Sequence, residues 1–235
     1  MDYEGFLELV KTRRSIRSFK PDSVPDSYVD QIIEAARWAP SGANSQPWEF
    51  LVIKNRELKE KILQFNKESS EHSRKMETTR GQEMAYPPVL RHTDRPGFAE
   101  APGWIILLGD ARTQKAYPLT AYLNRGDAIF QSSLASAFLY MHLAATTLGL
   151  ASQWVSGTAS PYMQCLIKDL LKIPENLEIY DMMAVGYPVR QPRPRMVRGG
   201  NSMMHYDGYD SSKARTDDDV HSFILSLRQE SAARP

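Results

Sequence analysis

The sequence is poor in the residues that build disulfide frameworks and metal sites. Its 235 residues include one cysteine, Cys165, which excludes a disulfide within the chain and suits a reducing compartment. Because Cys165 falls within a helical pattern, we expect it to be a small core residue. The histidines show no spacing typical of metal ligands, so the sequence predicts no metal site; they are His72, His92, His142, His205 and His221.

Nucleotide-binding signatures and a charge excess are missing as well. No Gly-x-Gly-x-x-Gly motif follows a predicted strand, so a Rossmann nicotinamide domain is unsupported, and no Gly-x-x-x-x-Gly-Lys-Ser/Thr loop occurs. The formal net charge is +1, from 29 basic and 28 acidic residues, which favours neither nucleic acid nor a membrane surface as a partner. Residues 1–5 do not resemble a signal peptide, so we expect a cytoplasmic protein.

The hydrophobic pattern indicates an α+β chain that forms a single domain over residues 1–235. Apolar residues at helical spacing predict helices, and short apolar runs predict the strands of a four- or five-stranded sheet. The predicted helices cover residues 2–11, 29–39, 56–65, 126–148, 161–171 and 217–227, and the predicted strands cover residues 48–53, 104–108, 151–155 and 181–186.

Two stretches fall outside this core pattern. Residues 67–98 are dense first in charge and then in proline, and long excursions of this kind are often lids or binding loops. From about residue 190 the chain becomes a basic, proline-rich tail. We therefore predict a lid-like excursion and a C-terminal tail, both attached to the single domain.

The helix that we predict to begin at Gly126 is apolar on almost every side. A helix without a polar face has to be buried on every side. A membrane span is the alternative, but serine, threonine and histidine residues interrupt the run before it reaches the ~20 apolar residues that a span needs. In a chain of this size, full burial of that helix favours a dimer.

Two polar segments lie near the N-terminus, at residues 13–17 and 40–46. The first carries Arg13, Arg14 and Arg17, whose planar charged side chains suit phosphate, although a solvated basic turn would have the same composition. The second has small residues that would allow a flat ligand to approach the backbone, and it could equally be a helix stop. Together the segments are compatible with a flat ligand that carries a phosphate.

One continuous pattern joins the two segments. Arg-Arg-Ser-Ile-Arg-x-Phe begins at Arg13, and Ala-Ala-x-x-Ala-Pro-Ser-Gly-x-Asn-x-Gln-Pro-Trp begins at Ala35. This pattern is similar to that of the nitroreductase-like, FMN-dependent oxidoreductases, and the likeness covers most of residues 7–65 and 100–200. It implies a nitroreductase-like fold with a central, mostly antiparallel sheet flanked by helices. It also implies an interlocked homodimer with two FMN sites, each built from both chains.

The resemblance assigns roles to residues of the two segments. Arg13, Arg14 and Ser15 would hold the phosphate and ribityl chain of FMN, and Arg17 would lie toward the pyrimidine edge of the ring. The loop residues supplied by the second chain would be Pro40, Ser41, Gly42 and Asn44.

Later residues complete the site that the resemblance implies. A backbone N–H from one strand end would face flavin N5, and the four residues there are Trp154, Val155, Ser156 and Gly157. Relatives often have Pro and Glu where this chain has Trp154 and Ser156, which puts a carboxylate role in doubt. A basic side chain of the tail would reach the phosphate, with Arg198 the first choice and Arg195 the second.

The activity implied by the resemblance is hydride transfer from NAD(P)H through flavin N5 to a small-molecule electron acceptor, by a ping-pong mechanism without a catalytic side chain. A nitroaromatic, a quinone or an enone would serve as acceptor. Reductive dehalogenation of the iodotyrosine-deiodinase type is an alternative, but its lid uses Glu-x-x-x-Tyr and a later Lys, whereas Glu83 and Tyr86 are three apart and no Lys follows before Lys115. A flavin-destructase activity and a non-catalytic flavin-binding protein are further alternatives.

Overall fold

The computed structural model describes residues 2–91, 95–190 and 196–232. Within it the chain forms two compact units. The first unit comprises Met1–Lys67 and Arg95–Pro192, and the second comprises Glu68–Asp94 and Arg193–Pro235. The helices are α1 (Tyr3–Thr12), α2 (Asp26–Arg37), α3 (Arg56–Glu77), α4 (Pro87–Leu90), α5 (Leu119–Thr147), α6 (Pro161–Leu171) and α7 (Asp217–Ala232).

The sheet has four strands, β1 (Trp48–Ile53), β2 (Gly103–Asp110), β3 (Ala151–Val155) and β4 (Leu177–Gly186). Their order is β1-β2-β4-β3, and every neighbouring pair is antiparallel. The predicted α+β fold and antiparallel sheet are therefore confirmed. β4 begins four residues before the predicted start, because the pairing with β2 continues past residue 181 to Leu177.

Helices cover both faces of the sheet, which is why β2 is apolar along most of its length. Trp104 and Ile106 point into a core shared with α3 and α6, whereas Ile105 and Leu107 point into a core shared with α2 and α5. Successive residues of a strand point to opposite faces, so a strand covered on both faces loses its polar alternation. The site described below lies on the α5 side.

Three sequence predictions about helices are wrong in instructive ways. Helix α5 begins at Leu119, directly after Pro118, and Gly126 lies inside it, where a Cβ would come within 2.6 Å of Gln114 Oε1. Helix α3 runs to Glu77 because its charged residues are good helix formers and nothing breaks the helix at residue 65. Cys165 is exposed, since Met163 and Ile167 occupy the buried positions of α6.

Helix α5 is the one element of the described residues that is long and apolar enough to cross a membrane. One side of it belongs to the core, with Phe130, Leu134 and Phe138 fully buried. The opposite side is open in the single chain, where Leu139 is 44% exposed, and the first turns of the helix are open as well, where Leu123 is 69% exposed. The core accounts for the apolar composition of the buried side, and these residues leave apolar surface exposed elsewhere on the helix.

The second unit joins the excursion to the C-terminal helix. Helix α7 packs on α4, and the Arg228 guanidinium lies 4.8 Å from the centroid of the Tyr86 ring. The Tyr86 N–H donates to Glu77 Oε1 at 2.7 Å, and Arg80 Nη1 donates to the same oxygen at 3.2 Å. Residues of the predicted excursion are thus held by a helix of the predicted tail.

Candidate functional site

The arginine segment, residues 13–17, is tied to the sheet by its backbone. Ser15 forms a bridge with Ser152 of β3, and the Ile16 N–H donates to the Ser152 carbonyl oxygen at 2.9 Å. Beyond the segment, the Lys20 N–H donates to the Tyr187 carbonyl oxygen at 2.8 Å. The backbone is thus held at Ile16 and again at Lys20, and the segment runs beside β3 without a helix or strand of its own.

This arrangement brings the predicted phosphate ligands next to the predicted flavin strand. Arg13 and Arg14 are half-buried, whereas Ser15 and Arg17 are exposed. Arg14 Nη1 donates to the Arg13 carbonyl oxygen at 2.8 Å, but Arg14 Nε is buried without a hydrogen-bond partner among the described residues. A buried guanidinium N–H without an acceptor is unusual and is what a bound anion would satisfy.

The proline loop, residues 40–46, follows the end of α2 and has a strained backbone. Ala43, Asn44 and Gln46 all have positive φ angles, of 49°, 53° and 43°. Non-glycine residues rarely adopt this conformation, and such strain concentrates at functional sites. The Gln46 N–H donates to Ser41 Oγ at 3.0 Å, which closes the loop on itself.

Gly42 anchors the proline loop to α5. Its N–H donates to Ser133 Oγ at 3.1 Å. A Cβ at this position would lie 2.1 Å from Ile129 Cγ2 and 3.2 Å from Tyr117 Cε1, so no larger residue fits without moving the loop. The small residue predicted at Gly42 is therefore required by packing within the chain, whether or not a ligand also lies against it.

The arginine segment and the proline loop lie near different parts of α5. The loop is bonded to Ser133, whereas the Ser152 side chain, beside the arginine segment, is bonded to His142, nine residues further along. Nine residues of α-helix correspond to about 13 Å along its axis. A single chain thus presents two separate polar surfaces.

The strand end, residues 155–157, is open to a ligand. Ser156 and Gly157 are exposed, and a Cβ placed on Gly157 would meet no atom within 4 Å. Thr158 is buried, and its hydroxyl donates to the Val155 carbonyl oxygen at 2.9 Å. The strand end is therefore fixed from the inside and accessible from the outside.

The side chain of Trp154 points into the α5-side core. Its ring stacks on the His142 ring with centroids 5.5 Å apart and packs edge-on against Phe138 at 4.5 Å. Its Nε1–H donates to Asp181 Oδ2 on β4, and His142 Nδ1 lies 2.6 Å from Ser152 Oγ. Sequence reasoning missed Asp181, Ser152 and the role of His142. The one signal was an aspartate at the start of the otherwise apolar strand predicted at residues 181–186.

Burial shifts the pKa values of His142 and Asp181 in opposite directions. Burial, together with the positive charge of Arg13, lowers the pKa of His142 to about 3, so the imidazole is neutral. Burial raises the pKa of Asp181 to about 6, and the hydrogen bond from Trp154 opposes that rise only in part. Asp181 Oδ1 is buried without a partner among the described residues, which keeps the ionised carboxylate poorly solvated.

The two candidate tail residues stay untested. Arg195 lies outside the described residues. Arg198 is half-buried and belongs to the second unit. Which of them reaches a phosphate remains a prediction.

Comparison with known proteins identifies the family to which this chain belongs. The sequence profile of the Nitroreductase family matches residues 10–187. A provisionally named NADH dehydrogenase/NAD(P)H nitroreductase of Archaeoglobus fulgidus is 28% identical over 79% of this chain and 86% of its own length. An iodotyrosine deiodinase of Hydra vulgaris is 30% identical over 78% of this chain and 65% of its own length. The chain therefore belongs to the Nitroreductase family.

Solved structures share the fold. An iodotyrosine deiodinase bound to FMN and 3-iodo-L-tyrosine aligns with a TM-score of 0.68 at 26% identity, over 86% of this chain and 99% of that chain. An NADPH:FMN oxidoreductase from Vibrio harveyi complexed with NAD+ aligns with a TM-score of 0.67 at 18% identity, over 95% of this chain and 84% of that chain. The second likeness concerns the fold alone.

The raised pKa of Asp181 predicts a stability that falls with rising pH. The folded-state pKa of about 6 lies above the ordinary value of 3.8, so the folded protein binds the extra proton and loses that stabilisation between about pH 4 and pH 6. Asp181→Asn cannot lose this proton, so its free energy of unfolding should not fall in the same way. The difference between the variant and the native protein should therefore shift in favour of the variant by up to about 3 kcal/mol between pH 4 and pH 7.

Denaturant unfolding of the native protein and Asp181→Asn at both pH values measures this gain. Any pH-independent effect of replacing the carboxyl by an amide is the same at both pH values, so it cancels when the two free energies of unfolding are subtracted. The exposed Glu178 on the same strand supplies the control, Glu178→Gln, which should not show the gain. An equal pH dependence for native protein and Asp181→Asn would contradict the raised pKa.

Proposed function

We propose that the protein is an FMN-dependent oxidoreductase that passes hydride from NAD(P)H through flavin N5 to a small organic acceptor by a ping-pong mechanism. A nitroaromatic, a quinone or an enone fits the acceptor role. FMN, when bound, supplies the redox chemistry, and the chain supplies binding, orientation and charge. The observation that carries the proposal is the arginine segment bonded beside β3, with a buried Arg14 Nε that has no partner among the described residues.

The arginine segment suits the phosphate end of FMN. Arg13 and Arg14 bring two permanent cations and several N–H donors to one half-buried position, and Ser15 adds a hydroxyl beside them. These three residues would hold the phosphate and ribityl chain. Arg17, which is exposed, would extend toward the pyrimidine edge of the ring, where its charge would stabilise reduced flavin.

The proposal includes a homodimer whose FMN sites use both chains. The separation of about 13 Å along α5 between Ser133, which bonds the proline loop, and His142, which lies near the arginine segment, supports a site completed by a second chain. The second chain would supply Pro40, Ser41, Gly42 and Asn44. The exposed apolar residues of α5 support burial against a partner, with Leu119 and Leu123 in its first turns and Leu139 on the side opposite the core.

The strand end would orient the flavin ring. A backbone N–H of residues 155–157 would face N5, and the open space beside Gly157 supports the close approach that this requires. Ser156 offers no carboxylate, so the proposed reaction uses no acid or base at that position. Arg198 or Arg195 would add a further cation at the phosphate, and the excursion would form a lid that helps to select the acceptor. We place the protein in the cytoplasm.

Reductive dehalogenation is the second candidate function, and the similarity to iodotyrosine deiodinases favours it. Against it stands the excursion, where Glu83 and Tyr86 are three residues apart instead of four. Tyr86 is also held by Glu77 and Arg228 within the second unit. A flavin destructase and a non-catalytic flavin-binding protein would both differ from the proposed enzyme in their response to NAD(P)H.

An anaerobic absorbance scan of the purified protein tests the activity. We expect a flavin spectrum that bleaches with NADH or NADPH and returns when a nitroarene or a quinone is added. A flavin spectrum that neither nucleotide bleaches would contradict the proposed donor and favour the second candidate. Absence of flavin after reconstitution with FMN would contradict the cofactor.

Substitution of Arg13 tests the phosphate site. Because a hydrogen bond to a charged group contributes ~1.5–3 kcal/mol, Arg13→Ala should bind FMN about 10- to 100-fold more weakly and lose it during purification. Arg37→Ala is the matched control, since Arg37 is an exposed arginine paired with Glu34 on α2. Equal FMN retention by Arg13→Ala and the native protein would refute the phosphate role of Arg13.

A further inference from the structure

Asp181 owes its inward position to an irregularity in β4. Along the β2–β4 pair, Leu107 is opposite Asp181 but Leu108 is opposite Ile179, so Tyr180 is an extra residue on β4. A bulge of this kind re-aims the side chains around it. Asp181 consequently shares a face with its partner Leu107, which packs in the α5-side core.

On that face, Asp181 is hydrogen-bonded to Trp154, a residue of β3, the strand that leads to the candidate flavin site. Its Oδ2 accepts the Trp154 Nε1–H, and the Trp154 ring is enclosed by His142, Phe138 and Tyr180. Asp181 is 7% exposed, and its Oδ1 has no partner among the described residues. A polar atom this deeply buried and unpaired calls for an explanation beyond packing.

We propose that Asp181 is a positioning residue for the flavin site, which fixes the Trp154 indole and the strand end, and that its carboxylate takes up a proton from solvent when bound FMN is reduced. The electrons come from NAD(P)H, and the same proton leaves Asp181 when the acceptor reoxidises FMN. This inference rests on the proposed function and adds a proton-binding residue to it.

No other group that faces Trp154 in the described structure changes charge in the same pH range. His142, from α5, stays neutral because its pKa is lowered to about 3, and Tyr180, from β4, stays neutral because burial and the charge of Asp181 raise its pKa. Arg13, which acts on His142, is permanently charged. The pKa of Asp181 is about 6, so this carboxyl gains or loses its proton near neutral pH.

The chain connects Asp181 closely to the proposed flavin position. Trp154, whose indole Asp181 holds, immediately precedes residues 155–157, which we propose to face flavin N5. For a separation of about 10 Å and an effective dielectric constant of about 20, one added negative charge raises the proton affinity of a carboxylate by about tenfold. Reduced flavin carries such a charge at its pyrimidine end, so reduction should raise the proton affinity of Asp181.

The midpoint potential of the FMN-loaded protein, measured against pH, tests the coupling. Proton uptake on reduction requires that Asp181 is ionised in the oxidised protein and protonated in the reduced protein, so the potential of the native protein should fall more steeply with pH between about pH 6 and about pH 7. In Asp181→Asn this extra slope should vanish, while Glu178→Gln, on the exposed part of the same strand, should keep it.

A second variant tests the positioning role. Asp181→Asn keeps an acceptor for the Trp154 indole and should bind FMN within about threefold of the native protein, whereas Asp181→Leu removes the acceptor and should bind about tenfold more weakly. Trp154 fluorescence should shift in Asp181→Leu and stay unchanged in Asp181→Asn. Equal FMN binding and fluorescence in the two variants would overturn the positioning role.

Infrared difference spectroscopy of the native protein covers the case in which the variants do not fold. Reduction should produce a new protonated-carboxyl band between about pH 6 and about pH 7. Bound, reducible FMN without that band, or with the same potential slope in Asp181→Asn, would overturn this inference and leave the proposed function intact. A native protein that binds no FMN would contradict both.

Discussion

The hydrogen bond from the Ile16 N–H to the Ser152 carbonyl oxygen is the contact on which the candidate site depends. It joins a segment without regular structure to β3, which lies at one edge of the sheet. An exposed sheet edge is a liability that proteins cover or pair. Here the segment that pairs with the edge contains Arg13 and Arg14. The pairing therefore also places two cations beside β3, the strand that leads to Gly157.

Burial on the α5 side of the sheet then decides the electrostatics. His142 and Asp181 flank the same indole, and the same cause, loss of water, moves their pKa values in opposite directions because one charged form is cationic and the other anionic. Trp154 therefore lies between a neutral imidazole and a carboxyl that ionises near pH 6. We propose that this carboxyl links protonation to the redox state of FMN.

Much of the fold was predictable from the sequence because apolar runs such as residues 104–108 and 182–185 mark buried strands directly. Helix starts were less predictable: Gly126 resembled a helix boundary, but it lies in α5 to make room for Gln114. The sequence motifs identified both polar segments of the candidate site. Asp181 escaped prediction because its role arises from a bulge and from an indole 27 residues earlier in the chain.

The central claim is that each FMN site takes its arginine segment from one chain and its proline loop from another. Co-expression of differently tagged Arg13→Ala and Gly42→Ala chains, followed by purification on both tags, isolates the mixed dimer. In that dimer one site combines both defects and the other has none, so the account predicts one FMN per mixed dimer and none in either homodimer. A mixed dimer without FMN would contradict the claim, since a site within one chain would be defective in both subunits.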